Sequence, residues 1–326
     1  MNDAKITENG AVLLGRSLTC DAHYDRPIRI ITHAHSDHLL HLSRSVKYCK
    51  KIVTTPITRD FIGVLKGKKV AAHIMPLDYE TPYEYEGERI TLYPAHHIVG
   101  SAQVLLENSE GERVLYTGDF RYPPAQVIKT DILVMEATYG NPSYVRNFKK
   151  EVEQELVELV KKSLKEGSVY IFGYHGKLQE VVKILNASDI DTPLVVPEKV
   201  FESLKICQFH GIDVKNFYLS KSDIGLEIQK SPHIGIYHMV TNRWVGKDAV
   251  KILLSGWQFD MPCKMIGENT YQVALSDHSD FNQLIEYCSQ SNPGLIITDN
   301  YRAGDAPVLT QEIKSRLGIN AISMPY

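Results

Sequence analysis

Short apolar runs bounded by turn residues dominate the first part of the chain. Ala11-Val12-Leu13-Leu14 and residues 29–32 read as buried strands, and residues 51–55 as another. The period then changes. Between 56 and 65, Ile57, Phe61, Ile62 and Leu65 fall on one side of a helix, and residues 39–42 form a helical turn before it. Strands are expected again at 89–93, 103–107, 113–117 and 131–135, with a turn over 83–87. Residues 148–166 carry Val152, Leu156, Leu159, Val160 and Leu164 on one helical stripe. Strands at 168–172, 193–196, 233–240 and 251–255 follow, with the stretch 173–180 turning into a helix that runs through Leu185. Strands at 271–275 and 295–298 flank a helix over 282–290. Strands and helices that alternate in this way define an α/β protein.

Composition narrows this only a little. The chain has 326 residues, 43% of them hydrophobic, enough for one large domain or two closely joined ones. Its five cysteines, Cys20, Cys49, Cys207, Cys263 and Cys288, are odd in number and lack C-x-x-C spacing, so no disulfide framework is expected. The first ten residues are polar and no stretch reaches the length of a membrane span, so the cytosol is the expected location. The net charge of −3 argues against a uniformly basic nucleic-acid binder. A local groove would draw on Arg44, Lys47, Lys50, Lys51, Lys66, Lys68, Lys69, Arg121, Arg146, Lys149 and Lys150, each of which also fits an ordinary solvated face.

The chemistry is concentrated where strands end. The run ending at Ile31 is followed by Thr32-His33-Ala34-His35-Ser36-Asp37-His38. Residues two apart in extended chain point the same way, so His33, His35 and Asp37 can converge while His38 offers a second direction, enough for two adjacent cation sites. Asp21 and His23, just before, read equally well as groups supporting such a centre or as ordinary buried polar residues. Further on, one of His96 and His97 can complete the first site, and Asp119, after Gly118 at a strand end, can bridge two metals. Glu136 again sits where a buried strand meets its loop.

The segments T-H-A-H-S-D-H, A-H-H-I-V-G-S-A, Y-T-G-D-F and M-E-A-T-Y-G, in this order, resemble the metallo-β-lactamase superfamily. More narrowly they resemble its β-CASP nuclease branch, including SNM-like exonucleases encoded beside bacterial DNA ligases and archaeal proteins labelled as mRNA 3′-end processing factors. The resemblance implies an αββα sandwich with an inserted α/β lid, the sandwich from residues 1–145 and 256–326 and the insert from 146–255. It implies that His33, His35 and His97 hold a first metal, Asp37 and His38 a second, and that Asp119 bridges them. His97 is preferred to His96 because it stands in H-x-x-G-[SA]-A. Zn2+, as one or two ions, is the expected metal, with Mn2+ as a substitute.

In the insert, Gly173-Tyr174-His175-Gly176-Lys177-Leu178-Gln179-Glu180 resembles the branch's G-[RK]-x-Q-E segment, which makes Lys177 a candidate for phosphate or lid contact. The same composition also occurs as a packing turn. Trp257, Tyr139 and Tyr144 can stack on bases, although large aromatics are more often core. Ser276-Asp277-His278-Ser279-Asp280 matches the branch's histidine followed two residues later by aspartate. His278 is then the general acid or phosphate-contacting group, oriented by Glu136. Asp280 is expected to cap the helix that follows. Many branch members carry another histidine about twenty residues on, whereas His278 is the last here; either Asp299 is the oxygen ligand that takes its place, or the second metal site is left weak or empty.

The expected function is metal-dependent phosphodiester hydrolysis by activated water, with Asp37, Asp119, Glu136 and His278 as the catalytic set. DNA is the favoured substrate, in a repair exonuclease that works near a DNA ligase or helicase. RNA processing is the nearest competing reading. A thioesterase or lactamase, and a non-catalytic scaffold, are the others.

Overall fold

The computed structural model describes residues 4–148, 151–246 and 248–326; Lys149 and Lys150 lie outside the described residues. The chain forms two compact units, Met1–Val145 with His278–Tyr326, and Arg146–Asp277.

The first unit contains two sheets. One runs in chain order through Ala4–Ile6, Ala11–Leu14, Leu18–Asp21, Ile28–Ile30, Lys51–Thr54 and Ile74–Pro76, its last four strands parallel. The other is ordered Asn320–Met324, Leu295–Asp299, Ile132–Met135, Arg113–Tyr116, Ala102–Glu107, Glu88–Pro94 and Tyr83–Tyr85. Strict alternation along its strands explains how it serves two cores. Val104, Leu106, Val114, Tyr116, Ile132, Val134 and Ile297 face the first sheet, packing with Ile6, Val12, Leu14, Leu18, Ile28 and Ile30. Leu105, Leu115, Leu133, Met135 and Ile296 face the other way, against Phe281, Leu284 and Tyr287 of the helix Phe281–Ser291 and Leu309 and Ile313 of Ala306–Leu317. The helix Pro56–Lys66, capped by Thr55 and buried along Ile57, Phe61 and Ile62, accompanies the first sheet. This is the expected αββα sandwich.

The helix Phe281–Ser291 starts as its sequence predicts: the Asp280 side chain accepts from the Gln283 amide at 3.1 Å and Gln283 answers to the Asp280 amide. The Phe281 amide also donates to the Tyr144 carbonyl at 3.0 Å, which ties together the two stretches of chain that belong to this unit. The expected turn over 83–87 is tighter than that. Tyr83–Tyr85 pairs with Glu88–Pro94 across Glu86 and Gly87, both at positive φ, as a two-residue hairpin requires.

The second unit is built on a sheet ordered Phe217–Leu219, Leu194–Val196, Ile234–His238, Val169–Gly173, Val250–Leu254, Thr270–Val273 and Cys263–Gly267, all parallel except the last. The expected end of the insert at residue 255 is therefore corrected to Asp277. The strand expected at 271–275 belongs to this unit and not to the sandwich: Thr270–Val273 pairs with Val250–Leu254 and carries the chain to Asp277 before it re-enters the first unit.

Candidate metal centre

The strand Ile28–Ile30 delivers its loop so that His33 and His38 are buried, His35 is partly covered and Asp37 is exposed. Two glycines shape the loops that meet it. Gly100 has φ +87°, and a Cβ there would lie 2.5 Å from the Ile57 side chain; its carbonyl accepts from Thr55 and Thr58. This turn lets Ser101 Oγ accept from the His97 amide at 3.0 Å and turns the His97 ring inward, while His96 faces out at φ +55°. Gly118, at φ +55°, lies against Thr32 and the Ala102 carbonyl, where a Cβ would crowd both, and presents Asp119 beside the histidines.

Donor atoms from several loops then converge on one oxygen. Asp119 Oδ2 lies 3.3 Å from His38 Nε2, 3.6 Å from His33 Nε2 and 3.7 Å from His97 Nε2. His97 Nε2 is 3.1 Å from His35 Nδ1, and His38 Nε2 is 3.5 Å from Asp37 Oδ2. His33, His35, His97 and Asp119 each offer a ligand atom within 4.8 Å of the others. Two donors bound tetrahedrally to one zinc at about 2.0–2.2 Å are separated by roughly 3.4 Å, so these spacings suit a shared cation. The Nε2 atoms of His33 and His38 are buried with no hydrogen-bond partner, which in a protein interior is costly unless a ligand is to be bound. The residues present fit the metal.

Supporting contacts fix which nitrogen each ring presents. The Asp21 carboxylate accepts from the Thr32 amide at 2.9 Å and the Tyr116 hydroxyl at 2.9 Å, and its Oδ2 lies 2.7 Å from His38 Nδ1. This is a carboxylate–histidine pair that aims Nε2 at the centre. Thr32 Oγ1 does the same for His33, 3.0 Å from its Nδ1. Burial, reinforced by the neighbouring His38 and His97, holds His33 well below the usual imidazole range, so it is neutral as a ligand must be. Burial works against a charge on His38 too. The Asp119 carboxylate overrides it, with Asp21 helping and Arg302 opposing, and lifts His38 to about 10, so that a metal held at its Nε2 would have to take the place of a proton.

Beside these donors lies a second pair. Glu136, buried at the end of Ile132–Met135, accepts from the Phe120 amide at 2.7 Å through Oε1, and its Oε2 is 2.7 Å from His278 Nδ1. Burial pushes this carboxyl above its usual range against the pull of His278. Glu136, His278 and Asp119 also lie within 4.8 Å of one another, and the His278 ring centroid is 4.4 Å from that of His97.

Four residues weighed in the sequence are engaged with other partners. Asp299 does not join the convergent donors: Oδ1 accepts from the Tyr301 and Arg302 amides, and Oδ2 is 2.5 Å from Arg302 Nη1. Lys177 lies in the second unit with its ammonium 2.5 Å from Asp277 Oδ1, so its charge is already matched. Arg146 is buried, donating to the Gly256 and Gln258 carbonyls and covering the Phe259 ring, which makes it a packing residue. His23 bonds Ser45 at 3.0 Å, outside the cluster. Tyr139 is core, whereas Trp257 is 51% exposed. Sequence reasoning missed Thr32, Tyr116 and Arg302 as supporting groups: Tyr116 meets Asp21 across 95 residues, whereas Thr32 adjoins His33 and Arg302 stands three residues after Asp299, a spacing that was open to reading.

A family model described as a beta-lactamase superfamily domain matches residues 21–171. An uncharacterized protein in the lig 3′ region of Acidianus ambivalens is 39% identical over 140 residues, 42% of this chain and all of that protein. A probable DNA ligase of Opitutus terrae is 25% identical over 287 residues, 85% of this chain and 27% of that protein. The probable RNase MJ4 of Methanocaldococcus jannaschii is 29% identical over 214 residues, 54% of this chain and 49% of that one. The chain thus spans less than half the length of the latter two. A solved Enterococcus faecalis protein of unknown function matches all of this chain and 85% of its own at a TM-score of 0.67 and 14% identity, a likeness of fold. The chain carries a domain of the metallo-β-lactamase superfamily, and its named relatives are consistent with the β-CASP nuclease branch.

Proposed function

We propose that this protein is a cytosolic, metal-dependent phosphodiesterase that degrades nucleic acid from an end, with DNA as its substrate. The observation that carries the reading is the adjacency of two devices: histidine and aspartate donors gathered on Asp119 Oδ2, and a Glu136–His278 pair beside them. His33, His35, His97 and Asp119 would hold the first metal, and Asp37, His38 and Asp119 the second. Zn2+ suits these donors, and Mn2+ is the substitute to test. When bound, the metal supplies Lewis acidity toward the phosphate and an activated water.

The rest of the chemistry belongs to the chain. Glu136 Oε2 holds the Nδ1 proton of His278, which leaves Nε2 to donate a proton to the departing sugar oxygen as the phosphorus–oxygen bond breaks. Asp37, whose side chain is 55% exposed, can pass the proton lost from the attacking water to solvent. No serine or cysteine nucleophile enters the scheme.

DNA is favoured because a relative named as a DNA ligase matches most of this chain and another is named for its place beside a lig gene. A ligase or helicase is accordingly the expected protein partner. The relative named as an RNase supports RNA as the second reading. The test is cleavage of matched, end-labelled single-stranded DNA and RNA by protein loaded with zinc or manganese, with Asp119→Ala as control. DNA shortened from one end, and not by the variant, supports the proposal. Preferential RNA cleavage would transfer the enzyme to RNA processing, and cleavage by the variant would overturn the assigned centre.

A further inference from the structure

The donors gathered on Asp119 fall into two unequal sets. Three imidazoles, His33, His35 and His97, lie with Asp119 within 4.8 Å of one another; the remaining set is one buried imidazole, His38, and the exposed Asp37. The carboxylate expected to make up the difference, Asp299, is buried and bound by Arg302. The guanidinium of Arg302 is itself buried. Its Nη1 holds Asp299 Oδ2, and its Nη2 donates to the Gly10 carbonyl at 3.2 Å while lying 3.8 Å from Asp21 Oδ2, the oxygen that holds His38 Nδ1. A second buried guanidinium, Arg29, donates to the His38 carbonyl at 3.3 Å and to the Asp21 carbonyl. Fixed positive charge therefore backs His38, and in a poorly solvated interior it opposes any further cation bound at the Nε2 edge of that ring.

We propose that Arg302 is a positioning residue that keeps the two metal positions unequal, by retaining Asp299 as its own counter-ion and by charging the back of the Asp21–His38 pair. The Asp37–His38–Asp119 position then fills only at metal concentrations well above those that fill the first. This rests on the metal-centre reading given above. It assigns to Asp299 the role of a counter-ion in place of that of a ligand.

The experiment is equilibrium titration of the full chain with Zn2+ and with Mn2+ against a chromophoric chelator, with bound ions counted by native mass spectrometry. Wild type is expected to take up two ions stepwise, the second at least about tenfold more weakly. Arg302→Gln, which keeps an amide donor for Asp299 but removes the charge, is expected to strengthen the second ion at least about tenfold and leave the first within about threefold. Arg302→Lys is expected to keep the second ion weak. A folded Arg302→Gln with an unchanged or weaker second ion overturns the proposal. Should that variant fail to fold, wild type still decides: two ions of equal affinity overturn it, and stepwise filling retained in Arg302→Lys supports it. Wild type that binds no ion removes the metal-centre reading itself, and this inference with it.

Discussion

Both units end parallel strands in loops, yet they place opposite kinds of residue there. In the first unit the strand ends carry buried polar groups, His33, His38, Asp119, Glu136 and Asp299, of which His33 and His38 are held through Nδ1, Glu136 by His278 and Asp299 by Arg302. In the second, the loops after Val169–Gly173 and Val250–Leu254 carry the exposed aromatics Tyr174 and Trp257, and the cation there, Lys177, is neutralised by Asp277. Among the described residues, no group of three convergent histidine, cysteine, aspartate or glutamate donors lies wholly within the second unit. The same sheet architecture therefore supports chemistry only where the sequence accepts the cost of burying polar atoms and supplies partners for them.

That contrast predicts that changes in the first unit act on turnover and metal, and changes in the second on substrate affinity. Asp119→Ala should lower the rate of oligonucleotide cleavage by about 10³-fold or more, with a circular dichroism melt still cooperative. Glu136→Gln should cost about 10²-fold in kcat while metal content and KM stay near wild type, because only the orientation and proton of His278 are lost. A matching loss of metal would break the assignment. Asp21→Asn, which leaves the loop hydrogen bonds but weakens the hold on His38, should reduce affinity for the second ion by roughly 10- to 100-fold in the same chelator competition. Trp257→Ala, in the second unit, should raise KM for single strands about tenfold with little change in kcat, the value of one stacked base. If it lowered kcat instead, the division between units would fail. Smallest of all, Asp280→Ala should cost about 1 kcal/mol in urea unfolding through the lost helix cap.

The sequence was most readable where partners are close along the chain. His33, His35, Asp37 and His38 share one loop, and the Asp280 cap lies three residues from the amide it binds. The sandwich followed from the family resemblance, and the continuous apolar runs at 104–106 and 114–116 fit strands with two buried faces. Long-range partners were not legible. Asp21 meets His38 across 17 residues and Tyr116 across 95, and Arg302, although it stands three residues from Asp299, also reaches the Gly10 carbonyl across 292. The boundary at 277 was missed for a related reason. The alternation of Thr270–Val273 suits either sheet, and only its pairing with Val250–Leu254 decides.

The hydrogen bond from the Phe281 amide to the Tyr144 carbonyl means that the insert leaves and re-enters the sandwich at nearly one point. In engineering terms it is a cassette. A short linker between the cut ends should close the host without unravelling a strand, and inserts from other proteins should be exchangeable at the same junction. The closing end of that junction must be kept intact, however, because the first residue after the cassette is His278.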